Sequence, residues 1–146
     1  MRSTASDALL LDTHIALWLK SGDPRLSLGT RSLIDDCWRG GGTVCLSAVS
    51  VWEIAMLVHG GRIELDEPID RWVSSFVERP GIRPLPLVHR AAARSYQLHD
   101  FGGRDPADRL LIATAIELSC PLVTYDGLIR RFARDHGRQY GFEALA

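Results

Sequence analysis

Three acidic residues stand at or just beyond the ends of short apolar runs. Asp12 directly follows the run at 9–11, and Asp126 directly follows the run at 122–125. Glu53 lies in the predicted helix that begins just after another run, at 43–46. Carboxylates that converge repel one another, and some take up protons unless a cation lies between them. The spacing therefore predicts a site for a hard divalent cation, provided that the fold brings the three acids together.

Asp108 joins this set if the helix that carries it begins on the same side of the fold. Asp105 is predicted to cap that helix and Pro106 to occupy its first position, so Asp108 projects near the helix N-terminus. Ligation by oxygen alone favours Mg²⁺ or Mn²⁺ over zinc. The five histidines show neither HxxxH nor HExxH spacing, which argues against a histidine metal site.

Each acid also has a structural interpretation. Asp12 would cap the helix that follows it, and Glu53 would complete a capping box with Ser50. Asp126 would be a turn residue, and Asp108 would be favoured in the first helical turn by the helix dipole. The chemistry that the four acids would share is metal-assisted hydrolysis, with Asp108 or Asp126 orienting or deprotonating the water.

The elements that position these acids alternate along the chain. Continuous apolar runs, typical of strands covered on both faces, occur at 8–11, 43–46, 82–85 and 122–125. Because parallel strands need crossover connections, strands alternating with helices predict an α/β fold with a mostly parallel sheet. Ligand sites in such sheets lie beyond the carboxyl ends of the strands.

Four helices are predicted from cap and periodicity signals. One begins at Ser47 and stops at Gly60, and another runs from Asp105 to near Ser119. Pro68 and Pro86 are each predicted to lie in the first turn of an amphipathic helix.

Length and composition predict one soluble domain spanning residues 1–146, with residues 1–7 as a flexible tail. Hydrophobic residues make up 46% and the net charge is −1, so nucleic-acid binding would depend on local charge. No secretory signal or membrane span is evident, which predicts a cytoplasmic protein without membrane attachment. The three cysteines share no CxxC spacing and are predicted to be reduced.

Four stretches in this order resemble the PIN-domain nuclease family, especially the VapC toxins of bacterial type II toxin–antitoxin pairs. They run from residue 9 to about 134, and the third is the most specific. The stretches are Leu10-Leu-Asp-Thr-His14, Leu46-Ser-Ala-Val-Ser-Val-Trp-Glu-Ile54, Arg104-Asp-Pro-Ala-Asp-Arg-Leu-Leu-Ile-Ala-Thr-Ala115 and Leu122-Val-Thr-Tyr-Asp126.

The resemblance implies a PIN-like three-layer α/β/α sandwich that cleaves RNA with Mg²⁺ or Mn²⁺. It makes Asp12, Glu53 and Asp108 the metal-holding catalytic acids and Asp126 a fourth, with the Thr13 hydroxyl steadying the pocket. It further implies a homodimer and a VapB-like antitoxin, whose C-terminal segment lies in a hydrophobic groove and reaches the acids with a basic side chain. Binding to DNA would then belong to the antitoxin.

Two further residues are predicted to contact substrate. His14 lies beside the first acid, and Arg109 would meet phosphates if it rims the pocket, as would the arginines at 130, 131 and 134. Two rival functions remain open. An aspartate-nucleophile phosphohydrolase would want a second aspartate where this chain has His14, and a non-catalytic binding module would use the acids only as caps.

Overall fold

Strands and helices alternate through residues 7–146, the part of the chain that the computed structural model describes. The predicted flexible tail lies outside the described residues except for Asp7, whose carbonyl accepts a hydrogen bond from the Thr43 amide. The elements are β1 Ala8–Leu11, α1 Thr13–Ser21, α2 Leu28–Arg39, β2 Thr43–Ser47, α3 Ala48–His59, α4 Ile69–Val77, β3 Ile82–Leu85, α5 His89–Arg94, α6 Pro106–Leu118, β4 Leu122–Val123, α7 Gly127–Tyr140 and β5 Ala144–Leu145.

The strands form a parallel sheet in the order β3-β2-β1-β4-β5. The chain builds outward from β1 to β2 and β3, then returns to the other side of β1 for β4 and β5. The order therefore reverses between β1 and β4, and a crevice opens there beyond the strand ends, where α/β folds bind ligands. Asp12 and Asp126 follow these two strands.

The apolar side chains of β1 divide the core into two layers. Leu10 packs with the side chains of α6 and α7, whereas Leu9 and Leu11 pack with those of α1, α2 and α4. All three leucines are fully buried. The predicted α/β/α sandwich with a mostly parallel sheet is therefore confirmed, and the sheet is parallel at every pairing between described strands.

Most predicted elements lie where the sequence placed them. The helix expected from Asp105 begins at Pro106 and ends before Ser119, which adopts a left-handed conformation with φ 52°. The helix predicted near Pro68 begins one residue later. The prediction for Pro86 was wrong, since α5 begins only at His89 and Pro86 belongs to the segment that leaves β3.

None of the described helices, within residues 7–146, is both long enough and apolar enough to cross a bilayer.

Candidate functional site

The four predicted acids line one pocket of about 210 Å³ at the reversal of strand order. They reach it from four different places in the fold. Asp12 follows β1, Glu53 lies in α3, Asp108 lies in the first turn of α6, and Asp126 follows β4. Acids that are distant in sequence thus share one cavity, which is the condition on which the predicted cation site depends.

Asp12 is held by two hydrogen bonds that fix both carboxylate oxygens. Its Oδ1 accepts from the Thr13 amide at 2.8 Å, which caps α1, and its Oδ2 accepts from the Thr124 hydroxyl at 2.6 Å. Burial nevertheless raises the pKa of Asp12, although both hydrogen bonds oppose the shift. Asp12 is therefore both a helix cap and a rigid member of the pocket.

Glu53 is held from the opposite helix by the Thr13 hydroxyl, which donates to its carboxylate and lies 3.1 Å from the Ser50 hydroxyl oxygen. The capping-box interpretation of Glu53 is wrong, because Ser47 caps α3 and Ser50 lies inside the helix. Burial raises the pKa of Glu53, and the charges of nearby aspartates add to that shift. Thr13 itself is buried.

Asp108 carries the strongest electrostatic signature of the pocket. Burial and, after it, the neighbouring charges of Asp105, Asp12, Asp126 and Glu53 together raise the pKa of Asp108 to about 8. Both causes act in the same direction, because each disfavours the ionised carboxylate.

Asp126 and Asp105 combine two roles. Each caps a helix, since Asp126 accepts from the Ile129 amide at 3.0 Å and Asp105 accepts from the Ala107 amide at 2.9 Å. Each also lines the acidic pocket. Capping and pocket lining are thus compatible.

Two pocket features were missed by sequence reasoning. The buried Thr124 hydroxyl donates to Asp12 and accepts from the Asp126 amide at 3.0 Å, so it links two of the acids. Trp18 lines the pocket with Tyr125, and their ring centroids lie 5.9 Å apart. A threonine two residues before a capping aspartate was the available signal for Thr124.

The two predicted substrate-contacting residues are placed differently. His14 is exposed at the pocket wall, and its ring centroid lies 5.7 Å from that of Trp18. Arg109 lies outside the pocket lining, because its guanidinium donates to the carbonyls of Ser95, Leu98 and Phe101 at 3.2, 3.5 and 2.8 Å. The substrate-binding prediction for Arg109 is therefore replaced by a structural role.

The donor set has the chemistry that a hard cation requires, because carboxylate and hydroxyl oxygens surround the pocket. Within the described residues, no three Asp, Glu, His or Cys side chains already form a group that could hold a metal ion. Both oxygens of Asp12 and one of Glu53 are instead occupied by hydrogen bonds from threonines and the backbone. Each of these oxygens keeps a second lone pair, so the hydrogen bonds orient the carboxylates without excluding an ion.

This fold and sequence define a recognised class: the chain matches the PIN domain family over residues 9–135 and belongs to that family. The chain is 34% identical over 122 residues to Ribonuclease VapC22 of Mycobacterium tuberculosis (strain ATCC 25618 / H37Rv), covering 84% of this chain and 89% of that protein.

Solved structures share the architecture. DNA-bound VapBC from Salmonella typhimurium matches with a TM-score of 0.62 at 18% identity, covering 96% of this chain and 98% of that one. VapBC2 from Rickettsia felis, bound to a DNA fragment from its promoter, matches with a TM-score of 0.61 at 14% identity, covering 94% and 97%. At these identities the likeness is one of fold.

Proposed function

We propose that this chain is a divalent-cation-dependent endoribonuclease of the VapC type, acting as the toxin of a toxin–antitoxin pair. The observation that carries the proposal is the pocket in which Asp12, Glu53, Asp108 and Asp126 converge, with the pKa of Asp108 raised to about 8. The similarity to a VapC ribonuclease supports RNA as the substrate.

The same four carboxylates are the proposed ligands of Mg²⁺ or Mn²⁺. Their mutual repulsion would be relieved by a divalent charge, and their oxygens match the preference of both ions. When bound, the cation supplies Lewis-acid stabilisation of the phosphate and lowers the pKa of water.

The side chains around the acids have separate proposed tasks. Thr13 and Thr124 hold Glu53 and Asp12 in place, and Asp108 or Asp126 orients or deprotonates the attacking water. His14, exposed at the pocket wall, contacts the substrate. The resemblance implies products with a 5′-phosphate and a 3′-hydroxyl.

The proposal extends to assembly and location. We propose a single-domain cytoplasmic protein that forms a homodimer and is inhibited by a VapB-like antitoxin. VapBC assemblies bound to DNA share its fold, which supports such a partner. The net charge of −1 agrees with leaving DNA binding to the antitoxin.

The test is cleavage of a mixed pool of tRNA, rRNA and mRNA by the purified chain, with Mg²⁺ and with EDTA. We expect cleavage only with Mg²⁺, and none by Asp12→Asn. Asp35→Asn is the matched control, since Asp35 is an exposed carboxylate on α2 away from the pocket. Equal cleavage by Asp12→Asn, or cleavage that persists in EDTA, would refute the catalytic assignment.

A further inference from the structure

A second groove, of about 660 Å³, runs along α7 beside the edge strand β5. Its lining includes Arg130, Arg131 and Arg134, none of which belongs to the acidic pocket. We propose that this groove, called here the arginine groove, binds backbone phosphates of single-stranded RNA on one side of the bond that is cleaved. The proposal rests on the proposed function, because it extends the RNA strand out of the acidic pocket.

The arginine groove carries an excess of positive charge. Its three arginines are opposed by one lining acid, Glu143. Arg130 and Arg131 form no ion pair among residues 7–146, and both are exposed. Arg134 pairs with Asp135 at 3.0 Å, but both side chains are largely exposed, and such surface pairs are weak. The guanidinium groups are therefore available to phosphate, to which their planar forks are suited.

The arginine groove adjoins the acidic pocket. Tyr125 lines both cavities. Asp126 and Arg130 lie one turn apart on the same helix, and the Arg130 amide donates to the Asp126 carbonyl at 3.0 Å. Arg130 and Arg134 are separated by a rise of about 6 Å. Residues four apart on a helix lie on the same face, so both guanidinium groups can face the arginine groove.

The groove on the other side of the acidic pocket is a poor match for phosphates. It shares His14 and Trp18 with the pocket, but its three cations are accompanied by three acids. Two of these cations are held in ion pairs, Arg25 with Asp23 at 2.7 Å and Lys20 with Glu67 at 2.8 Å. Its cations are Lys20, Arg25 and Arg62, and its acids are Asp23, Glu64 and Asp66. The charge asymmetry therefore favours the α7 side for the RNA strand.

The test compares RNA binding by a triple variant, Arg130→Gln, Arg131→Gln and Arg134→Gln, with that of a matched control. Fluorescence anisotropy follows the binding of a fluorescein-labelled 12-nucleotide single-stranded RNA across a series of salt concentrations. All proteins are full-length and carry Asp12→Asn, which prevents cleavage of the RNA, and the buffer contains Mg²⁺. The control is Arg138→Gln, which removes an exposed arginine from the same helix outside the groove.

We expect the triple variant to bind at least about tenfold more weakly at low salt, and the slope of log K against log salt to become shallower by about 2. Arg138→Gln should change neither value. A triple Arg→Lys variant should restore most of the slope, because charge is retained, and it also controls for folding.

The proposal would be overturned if the triple variant and Arg138→Gln bound RNA with equal affinity and equal salt dependence. Binding of an acidic protein segment to the groove would not rescue it. Failure of the proposed function would look different. In that case the parent chain would cleave no RNA, while the binding series would still report whether the groove takes the strand.

Discussion

At the scale of single residues, the pocket combines crowded carboxylates with hydroxyl groups that hold them. The Thr124 hydroxyl lowers the pKa of Asp12, and the Thr13 hydroxyl lowers that of Glu53, while burial raises both. Asp108 has no such donor among the described residues, and its pKa is raised to about 8. The hydroxyls thus oppose, at Asp12 and Glu53, the rise in pKa that burial causes, whereas nothing of this kind within residues 7–146 opposes it at Asp108.

Thr124→Val tests the link between Asp12 and Asp126. The substitution keeps the shape of a buried side chain but removes a donor and an acceptor, so we expect the free energy of unfolding to fall by about 1–3 kcal/mol. RNA cleavage should fall roughly 10- to 100-fold, because Asp12 loses its orientation. Denaturant unfolding and initial cleavage rates measure the two effects.

The matched control for that variant is Thr114→Val. Thr114 is also buried, but its hydroxyl donates to the Leu110 carbonyl within α6 at 2.7 Å, away from the acids. It should leave the cleavage rate close to that of the parent chain. If both variants cleave equally well, Thr124 has no part in orienting the acids.

Asp108→Asn should stabilise the protein in EDTA, and the gain should grow with pH. The folded-state pKa of Asp108, about 8, lies above its ordinary value of 3.8. The contribution of this group to stability is therefore full below pH 4 and is lost as the pH rises toward 8. An amide has no such dependence. Melting temperatures of both proteins from pH 4 to 8 check this, and a variant less stable than the parent at pH 8 would contradict it.

At the level of strands and helices, apolar runs and capping residues were sufficient to predict the bounds of an element that is rich in apolar residues or has a strong cap. β1 and β3 have the predicted bounds, and α6 begins and ends at the predicted cap residues. β3 contains Pro84 and is still a strand because it lies at the edge of the sheet, where a missing amide donor is tolerated.

For other elements, the local sequence contains too little periodicity or capping signal to predict them. β5 has two residues, shorter than any pattern of periodicity, and it exists because it pairs with β4. The helices α2 and α7 are polar overall, with three buried residues in each. Their placement depends on tertiary contacts, which local sequence does not encode strongly.

Arg109 illustrates a residue whose type suggested one role and whose surroundings impose another. Its guanidinium joins α6 to the segment 95–101, with the rings of Tyr96 and Phe101 5.2 and 5.3 Å away. Arg109→Met should lower the free energy of unfolding by about 3 kcal/mol, because charged hydrogen bonds are lost. Amide exchange in 95–101 should accelerate, as mass spectrometry would detect.

Arg104→Met serves as the control, since Arg104 is exposed and lies just before the start of α6, the helix that carries Arg109. It should change neither stability nor exchange. If Arg109→Met left stability and amide exchange unchanged but weakened RNA binding, the direct substrate contact predicted from sequence would be restored.

At the scale of the whole molecule, the parallel sheet explains why residues 114 positions apart share one cavity. Asp12 and Asp126 follow neighbouring strands, and the Asp12 amide donates to the Val123 carbonyl at 3.0 Å. The rule that ligands bind beyond the strand ends was enough to predict this convergence from sequence. The arginines at 130, 131 and 134 were candidates for phosphate contact from sequence, but the groove that they line and the aromatic wall depend on how α7 and α1 pack beside the strands.

If these crowded carboxylates require a divalent counterion, calorimetric titration with Mn²⁺ at pH 7 should show tight binding coupled to proton release. Because Asp108 holds a proton near that pH, binding should release about one proton per ion, seen as a dependence of the heat on buffer. Asp108→Asn should bind more weakly and release none, while Asp35→Asn should match the parent chain. Binding without proton release, or with equal affinity in Asp108→Asn, would contradict the account.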